Sequence, residues 1–356
     1  MKADPAILEE LADVHRRKKG IFRLKTAIWE FTLKCNLRCI HCGSAAGTAR
    51  QNELTLEECR NVCNQLSALN CQTICLMGGE PFLREDVFDI GWAVKDLGMS
   101  LTFVSNGTLM DNYIDRIAKL EPTVVGVSLD GAEEAHERIR GQGTWDKAMH
   151  AIDLLLDHGI QTTMITAVSK INMKDLPKMR DMIKGRGINW QIQLASPFGN
   201  FKRELMLSPE EYYATALFIA KERLNRSSDD MPVVGAHCYG YSSKVLPTNP
   251  LWQGCTAGIE NIGITSDGGI VGCLSMGNDR FIEGNVRERS IADIWNDPKS
   301  FPYNRRFVVE DTGENCVGCR QKKRCKGGCN SVSLSTTGKV HNDPYCFKTV
   351  EASLRS

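Results

Sequence analysis

From Thr26 to Leu194 the chain alternates between short apolar runs and stretches in which apolar residues recur every three to four positions. The runs Thr26–Leu33, Thr73–Met77, Ser100–Ser105, Thr123–Leu129, Gln161–Val168 and Asn189–Leu194 have the length and composition of strands. Between the first two, Leu56, Cys59, Val62, Cys63, Leu66 and Leu69 share one helical face, and Thr55 with Glu58 predicts a capping box at its start. A later helix is predicted over about Thr144–Asp157, stopped by Gly159 as its C-cap. Strands alternating with helices predict a parallel sheet with right-handed crossovers, either open or closed into a barrel. The loops leaving the C-terminal ends of the strands are then the expected active face.

The pattern weakens beyond a helix at about Pro209–Leu224. The polar stretch Asn225–Met231 reads as a linker, and the remainder is rich in Gly, Cys and turn residues. A small domain held together by metal sites has this character. The expected organisation is an N-terminal helical extension over 1–25, a core over 26–230 and a small domain over 231–356.

Composition alters the picture in one respect. The chain has 356 residues, 42% hydrophobic and 24% charged, with a net charge of +1, as an ordinary globular protein does. That balance gives no reason to expect a nucleic-acid or anionic-membrane partner. No apolar run approaches the roughly 20 residues that span a bilayer. Met1–Gly20 lacks the apolar segment of a secretory signal, so a cytoplasmic location is expected. The cysteines are the anomaly: 15 in all, seven from Cys35 to Cys75 and eight from Cys238 onward. A cytosolic chain of this size needs no disulfide staples, so the clustering points to metal or redox chemistry.

The first strand runs directly into Cys35-Asn-Leu-Arg-Cys39-Ile-His-Cys42. Thiolates at this spacing can ligate three irons of a [4Fe–4S] cube and leave the fourth open. Zinc is the rival, but a structural zinc site wants a fourth ligand close by. His41 could serve only awkwardly, because it adjoins Cys42. The second strand ends in Met77-Gly78-Gly79-Glu80-Pro81. Its glycines permit close backbone approach to a ligand, and its carbonyls and Glu80 can accept hydrogen bonds from an ammonium. Taken alone, Gly-Gly-Glu-Pro is only a turn.

With the triad and this turn at their spacing, the sequence resembles the radical S-adenosylmethionine (SAM) superfamily. The resemblance implies that the open iron is chelated by the amino and carboxylate groups of SAM, whose reductive cleavage gives a 5′-deoxyadenosyl radical. It implies SAM contacts from Gly78, Gly79, Glu80 and Pro81, from Asn106, from Ser128 and Asp130, and from Arg140 as the partner of the SAM carboxylate. Each of the last four also reads as a polar loop residue. The family usually has an aromatic residue before the last triad cysteine, where this chain has His41. Pro197-Phe198-Gly199, after the sixth strand, reads as a further edge of the pocket.

Farther on lie Cys255, Cys273, Cys316-x2-Cys319-x5-Cys325-x3-Cys329 and Cys346, with Gly284-Asn285-Val286 and Ile291-Ala-Asp-Ile-Trp295 among them. This order resembles the SPASM domain, whose members carry two auxiliary iron–sulfur clusters. The resemblance implies a first auxiliary cluster on Cys255, Cys273 and Cys329 and a second on Cys316, Cys319, Cys325 and Cys346. With the SAM-binding cluster that makes three, with [4Fe–4S] cubes the expected type. One feature departs from the pattern: fully ligated members have an eighth cysteine shortly after the first, and residues 256–272 contain none. Cys238 therefore has three readings: a buried thiol, the missing ligand, or a hydrogen-atom donor to a substrate radical. The basic residues Arg320, Lys322, Lys323, Arg324 and Lys326 read as charge compensation around a thiolate-bound cluster rather than a nucleic-acid patch. Cys59, Cys63, Cys71 and Cys75 read as packing.

Together the resemblances imply an α/β fold: a partial (β/α)6 TIM-like barrel radical SAM core with a small C-terminal iron–sulfur auxiliary (SPASM) domain. The implied activity is that of a radical SAM oxidoreductase abstracting hydrogen from a peptide or protein, as in crosslinking, epimerisation or oxidation. A reducing donor such as flavodoxin or ferredoxin is the implied electron source. The alternative substrate class is a small metabolite or cofactor precursor such as a tetrapyrrole. A non-catalytic electron carrier fits less well, having no use for an open iron. Anaerobic sulfatase maturases place an aspartate after the second auxiliary cysteine; here Cys273 is followed by Leu274, which disfavours that chemistry. The N-terminal extension is too short for the separate peptide-recognition domain of some relatives.

Overall fold

The computed structural model describes residues 5–225, 232–236, 239, 243, 245, 246, 252–277 and 279–354. Helix α1 (Pro5–Lys18) precedes six strand–helix units: β1 (Thr26–Thr32), α2 (Leu56–Ala68), β2 (Thr73–Gly78), α3 (Val87–Asp96), β3 (Ser100–Ser105), α4 (Met110–Leu120), β4 (Val124–Ser128), α5 (Glu133–Arg140), α6 (Thr144–Asp157), β5 (Thr162–Val168), α7 (Leu176–Ile183), β6 (Asn189–Leu194) and α8 (Pro209–Asn225). Side chains two residues apart share a face of a strand. Trp29 and Phe31, Ile74 and Leu76, Leu101 and Phe103, Val125 and Val127, and Trp190 and Ile192 are such pairs, all buried in the main core. The helices cover this face. Among them, α2 opens with the reciprocal Thr55–Glu58 capping box and buries Cys59, Val62, Cys63 and Leu66. Helix α6 ends before Gly159, which takes φ +68°.

Strands β1 to β6 pair in chain order and all run parallel. The fold is the mixed α/β core of a partial TIM-like barrel followed by a C-terminal region of short helices and turns, as the sequence leads one to expect. Strand β7 (Val233–Gly235) adds in parallel beyond β6. The other edge is less legible from sequence. There β8 (Asn261–Ile264) pairs in parallel with β1, so the C-terminal region continues the core sheet. It turns back through the antiparallel strands β9 (Gly269–Val271) and β10 (Ile282–Asn285). The rest is short helices: α9 (Ile291–Asn296), α10 (Pro302–Arg305), α11 (Lys322–Cys325), α12 (Asn330–Thr337) and α13 (Phe347–Ser353).

Polar contacts lock this region to the core and to the segment that precedes it. Arg287 forks onto both carboxylate oxygens of Glu58 at 2.6 and 2.8 Å. Tyr345 Oη donates to the Leu207 carbonyl at 2.7 Å, and Trp295 Nε1 donates to the Phe22 carbonyl at 3.1 Å. No helix among the described residues is long and apolar enough to cross a membrane. Because β1 to β6 are parallel, the loops carrying Cys35–Cys42, Gly79–Pro81, Asn106, Asp130 and Pro197–Gly199 all leave the same end of the sheet. That end holds the candidate site.

Candidate active site

A register shift between Glu30 and Thr32 re-aims β1 as it enters the cysteine loop. The loop is pinned by Cys35 N donating to the Gly47 carbonyl at 3.0 Å and Gly47 N donating to the Leu33 carbonyl at 2.8 Å. Backbone N–H groups turn inward toward the thiols: Leu37 N lies 3.4 Å from Cys35 Sγ and Ala46 N 3.3 Å from Cys42 Sγ. The three thiols lie within electrostatic reach of one another. Burial pushes the Cys39 thiol up to about 11, against the opposing pull of Arg140.

The Gly78–Pro81 turn packs beside this loop. A Cβ on Gly78 would stand 2.3 Å from the Thr32 carbonyl oxygen, and one on Gly79 would stand 2.2 Å from that of Lys34. The close approach these glycines permit is to the protein's own backbone. Gly79 N and Glu80 N donate to the same two carbonyls, at 2.7 and 2.8 Å. Glu80 is fully buried, and its oxygens accept from Asn106 N at 2.8 Å, Ser105 Oγ at 2.9 Å and Phe82 N at 3.4 Å. Burial lifts its pKa to about 7, and these donors offset only part of the rise. The turn thus braces β1, β2 and β3. It also aims Asn106, whose Nδ2 lies 2.9 Å from Asn36 Oδ1 and 3.9 Å from Cys35 Sγ.

Asp130, at the end of β4, is a junction with 0% exposure. Its Oδ2 accepts from Arg140 Nε at 2.5 Å and faces His41 Nε2 at 2.7 Å, while Oδ1 accepts from Ala167 N at 2.8 Å. Burial alone would raise its pKa; Arg140 and His41 outweigh that and hold it far below the usual carboxylate range. Arg140 Nη1 reaches to 4.0 Å from Cys39 Sγ. The buried Nδ1 of His41 has no hydrogen-bond partner among the described residues. Ser128 is buried, and its hydroxyl has no hydrogen-bond partner among the described residues. From β6, Gly199 lies against the triad; a Cβ there would stand 2.3 Å from the Cys42 carbonyl oxygen.

The C-terminal thiols fall into two groups. Cys273 senses Cys255 and Cys329, and burial with these neighbours raises its thiol to about 12. Cys316 senses Cys346 and Cys319, and Cys325 senses Cys346, Cys316 and Cys319; burial leads in raising these two to about 11 and 12. Cys59, Cys63 and Cys71 are core residues instead. Every described cysteine is a free thiol. Among the described residues no group of three or more His, Cys, Asp or Glu is closed up as a metal site. Cys238 lies outside the described residues.

Two family comparisons bear on this arrangement. The Radical SAM superfamily matches residues 29–183, the stretch from β1 to α7 that carries the triad, the turn and the Asp130 junction. The SPASM iron–sulfur cluster-binding domain matches residues 255–330. The chain belongs to the radical SAM superfamily. Its radical SAM core and SPASM-type region together imply SAM and more than one iron–sulfur cluster as cofactors, and an enzyme that generates a 5′-deoxyadenosyl radical. The chain is 27% identical over 350 residues to the Fe-coproporphyrin III synthase of Methanosarcina barkeri, covering 91% of this chain and 88% of that one. It is 23% identical over 350 residues to the mycofactocin maturase MftC of Mycolicibacterium smegmatis, covering 94% and 86%. The crystal structure of Streptococcus suis SuiB bound to precursor peptide SuiA matches its fold with a TM-score of 0.76 at 17% identity, over 97% of this chain and 82% of that one.

The donor set of this radical SAM chain fits iron–sulfur groups. Ten thiols stand in one group at the β1 loop and two in the C-terminal region. Burial keeps most of them protonated, so they release protons when iron binds. Residues absent from any sequence motif also shape the site. His136 Nδ1 accepts from Asp130 N at 3.1 Å, and Asn172 Nδ2 donates to the Asp130 carbonyl at 2.6 Å. Asn200 N donates to the Cys42 carbonyl at 3.0 Å.

Proposed function

We propose that Cys35, Cys39 and Cys42 hold the SAM-binding cluster and that the enzyme abstracts hydrogen from a peptide or protein. Cys255, Cys273 and Cys329 hold one auxiliary cluster, and Cys316, Cys319, Cys325 and Cys346 hold the other. The core then spans 26–230 and the auxiliary domain 231–356. The observation that carries this reading is the triad's gathering beside Asn106 and the Asp130–Arg140 pair, at the end of the parallel sheet where β4 finishes in Ser128.

When bound, the cluster and SAM together supply the radical that takes a hydrogen atom from the substrate. The chain's own residues bind and orient. The Gly78–Pro81 turn fixes the wall between β1 and β3. Arg140 keeps guanidinium donors free for a carboxylate, since Asp130 engages its Nε. Ser128 offers a hydroxyl. Asn106 and Arg140 bring donors toward thiolates that need charge compensation. Electrons come from a small reducing protein such as a flavodoxin or ferredoxin.

For the peptide reading, the support is the likeness in fold to SuiB with its precursor peptide and the similarity to a mycofactocin maturase. A tetrapyrrole substrate is the second reading, favoured by the similarity to Fe-coproporphyrin III synthase across nine-tenths of the chain. The test is anaerobic turnover with SAM and dithionite. 5′-Deoxyadenosine would be measured alongside the masses of candidate peptides and of iron tetrapyrroles, with iron coproporphyrin III followed both as a product and as a substrate. A mass change in a peptide with stoichiometric 5′-deoxyadenosine supports the first reading. Conversion of a tetrapyrrole alone replaces it with the second.

A further inference from the structure

The thiols of Cys255, Cys273 and Cys329 number three where the neighbouring group has four, and a buried polar atom beside them is unpaired. Tyr303 sits on α10, whose backbone is anchored by His341 Nε2 at 2.6 Å from the Tyr303 carbonyl. Its ring meets Phe281 edge-on, with centroids 5.5 Å apart. The Tyr303 hydroxyl is buried and has no hydrogen-bond partner among the described residues. It lies within electrostatic reach of Cys255 and Cys273.

Gly272 makes room for it. A Cβ on Gly272 would stand 2.0 Å from Tyr303 Oη. Gly272 is not among the glycines with positive φ, so the residue serves space rather than an unusual backbone conformation. The sequence therefore omits a side chain immediately before Cys273, where the phenol oxygen enters. A buried hydroxyl left unsatisfied costs about 1–3 kcal/mol, and an acceptor arriving with a bound group removes that cost. Thiolate and sulfide sulfurs are such acceptors.

We propose that Tyr303 donates a hydrogen bond to a sulfur of the cluster held by Cys255, Cys273 and Cys329 and raises that cluster's reduction potential. The proposal rests on the reading that these three cysteines hold a cluster. A donor to a cluster sulfur stabilises the more negative, reduced form, so its removal moves the potential downward.

The test uses iron-loaded full-length protein. Tyr303→Phe should keep its iron and shift one auxiliary midpoint to more negative potential in redox-titrated EPR, with the other clusters unmoved. Gly272→Ala, which displaces the hydroxyl and keeps the phenol, should shift the same midpoint in the same direction. Unmoved midpoints in iron-replete variants overturn the proposal. So does a phenolate-to-iron charge-transfer band lost in Tyr303→Phe, which would make the residue a ligand. So does a shift seen with Cys238→Ala and not with Tyr303→Phe. If both Tyr303→Phe and Gly272→Ala lose iron, wild-type protein exchanged into D2O decides: without a coupled deuteron on the auxiliary EPR signal the proposal fails. Joint replacement of Cys255, Cys273 and Cys329 by alanine tests the underlying reading separately. Undiminished iron there removes the cluster assignment and the tyrosine's role with it.

Discussion

Asp130→Asn keeps the size of the side chain and removes its charge. In the native site Oδ2 faces two donors, Arg140 Nε at 2.5 Å and His41 Nε2 at 2.7 Å, and Oδ1 faces a third, Ala167 N at 2.8 Å. An asparagine has one acceptor oxygen, so its amide NH2 must oppose one of these donors. Arg140, only 12% exposed, loses its counter-charge. Removing one partner of a buried pair costs about 3–5 kcal/mol. At roughly 1.3 °C per kcal/mol for a chain of 356 residues, the unfolding midpoint should fall by roughly 4–7 °C. The sign with pH follows from the depressed carboxylate pKa. Its stabilisation is fully present above about pH 4 and is lost only as pH falls toward the folded value. A comparison at pH 7.5 therefore measures all of it. The assay is anaerobic thermal unfolding of iron-loaded protein by circular dichroism at a fixed scan rate. Asp130→Asn/Arg140→Met, which removes both charges, should recover part of the loss. A fall below 2 °C in the single variant, or a double variant less stable than the single, would refute the reasoning.

Joint replacement of Cys35, Cys39 and Cys42 by alanine should remove about four irons per chain and abolish 5′-deoxyadenosine formation while the auxiliary clusters remain; undiminished SAM cleavage would sink the triad assignment. Gly79→Ala forces a Cβ to 2.2 Å from the Lys34 carbonyl oxygen and should cost about 1–3 kcal/mol and lower triad iron occupancy. Gly43→Ala, whose Cβ meets nothing closer than 3.8 Å, should change neither. His136 is buried and its pKa is lowered, chiefly by burial, to about 4. The stability difference between wild type and His136→Asn should then change by about 2 kcal/mol from pH 7 to pH 5, against the wild type, as the unfolded histidine binds a proton the folded one refuses; paired denaturant titrations at the two pH values read it.

The six core strands are legible because each is a run whose alternate residues bury in one face, and the helices because each has an apolar stripe. Predicted and observed ends differ by a residue or two at most, as at β1, which stops at Thr32, and β4, which starts at Val124. Strand β8 is not legible: Asn261–Ile264 is four residues long, and its place beside β1 depends on pairing across more than 200 residues of sequence. The cysteine triad is legible because its residues lie in one loop. The partners of Asp130 are not, since His41 is 89 residues away and Ala167 is 37 away. No periodicity marks such contacts. The glycines of the Gly78–Pro81 turn are legible as special, but the reason is not. Only the structure places the Thr32 and Lys34 carbonyls where their side chains would be. Tyr303 could have been suspected only from a missing cysteine and an unexplained Gly272.

The Asp130 junction also explains how one arginine can be both buried and available. A guanidinium carries five N–H donors, and Asp130 fixes it through Nε alone. Of the terminal nitrogens, Nη1 reaches to 4.0 Å from Cys39 Sγ. A buried arginine without a counter-ion would carry a heavy desolvation penalty. One with every donor engaged would be unable to receive a ligand's carboxylate. Asp130 avoids both outcomes, because its own charge is secured by Arg140, His41 and the Ala167 N–H together. From the end of β4 the same carboxylate reaches β5 through Ala167, helix α5 through Arg140 and the cysteine loop through His41. A displacement in any one of these elements therefore changes where Arg140 points. His136 and Asn172, which bond the Asp130 backbone, thereby bear on the geometry of the candidate SAM carboxylate site.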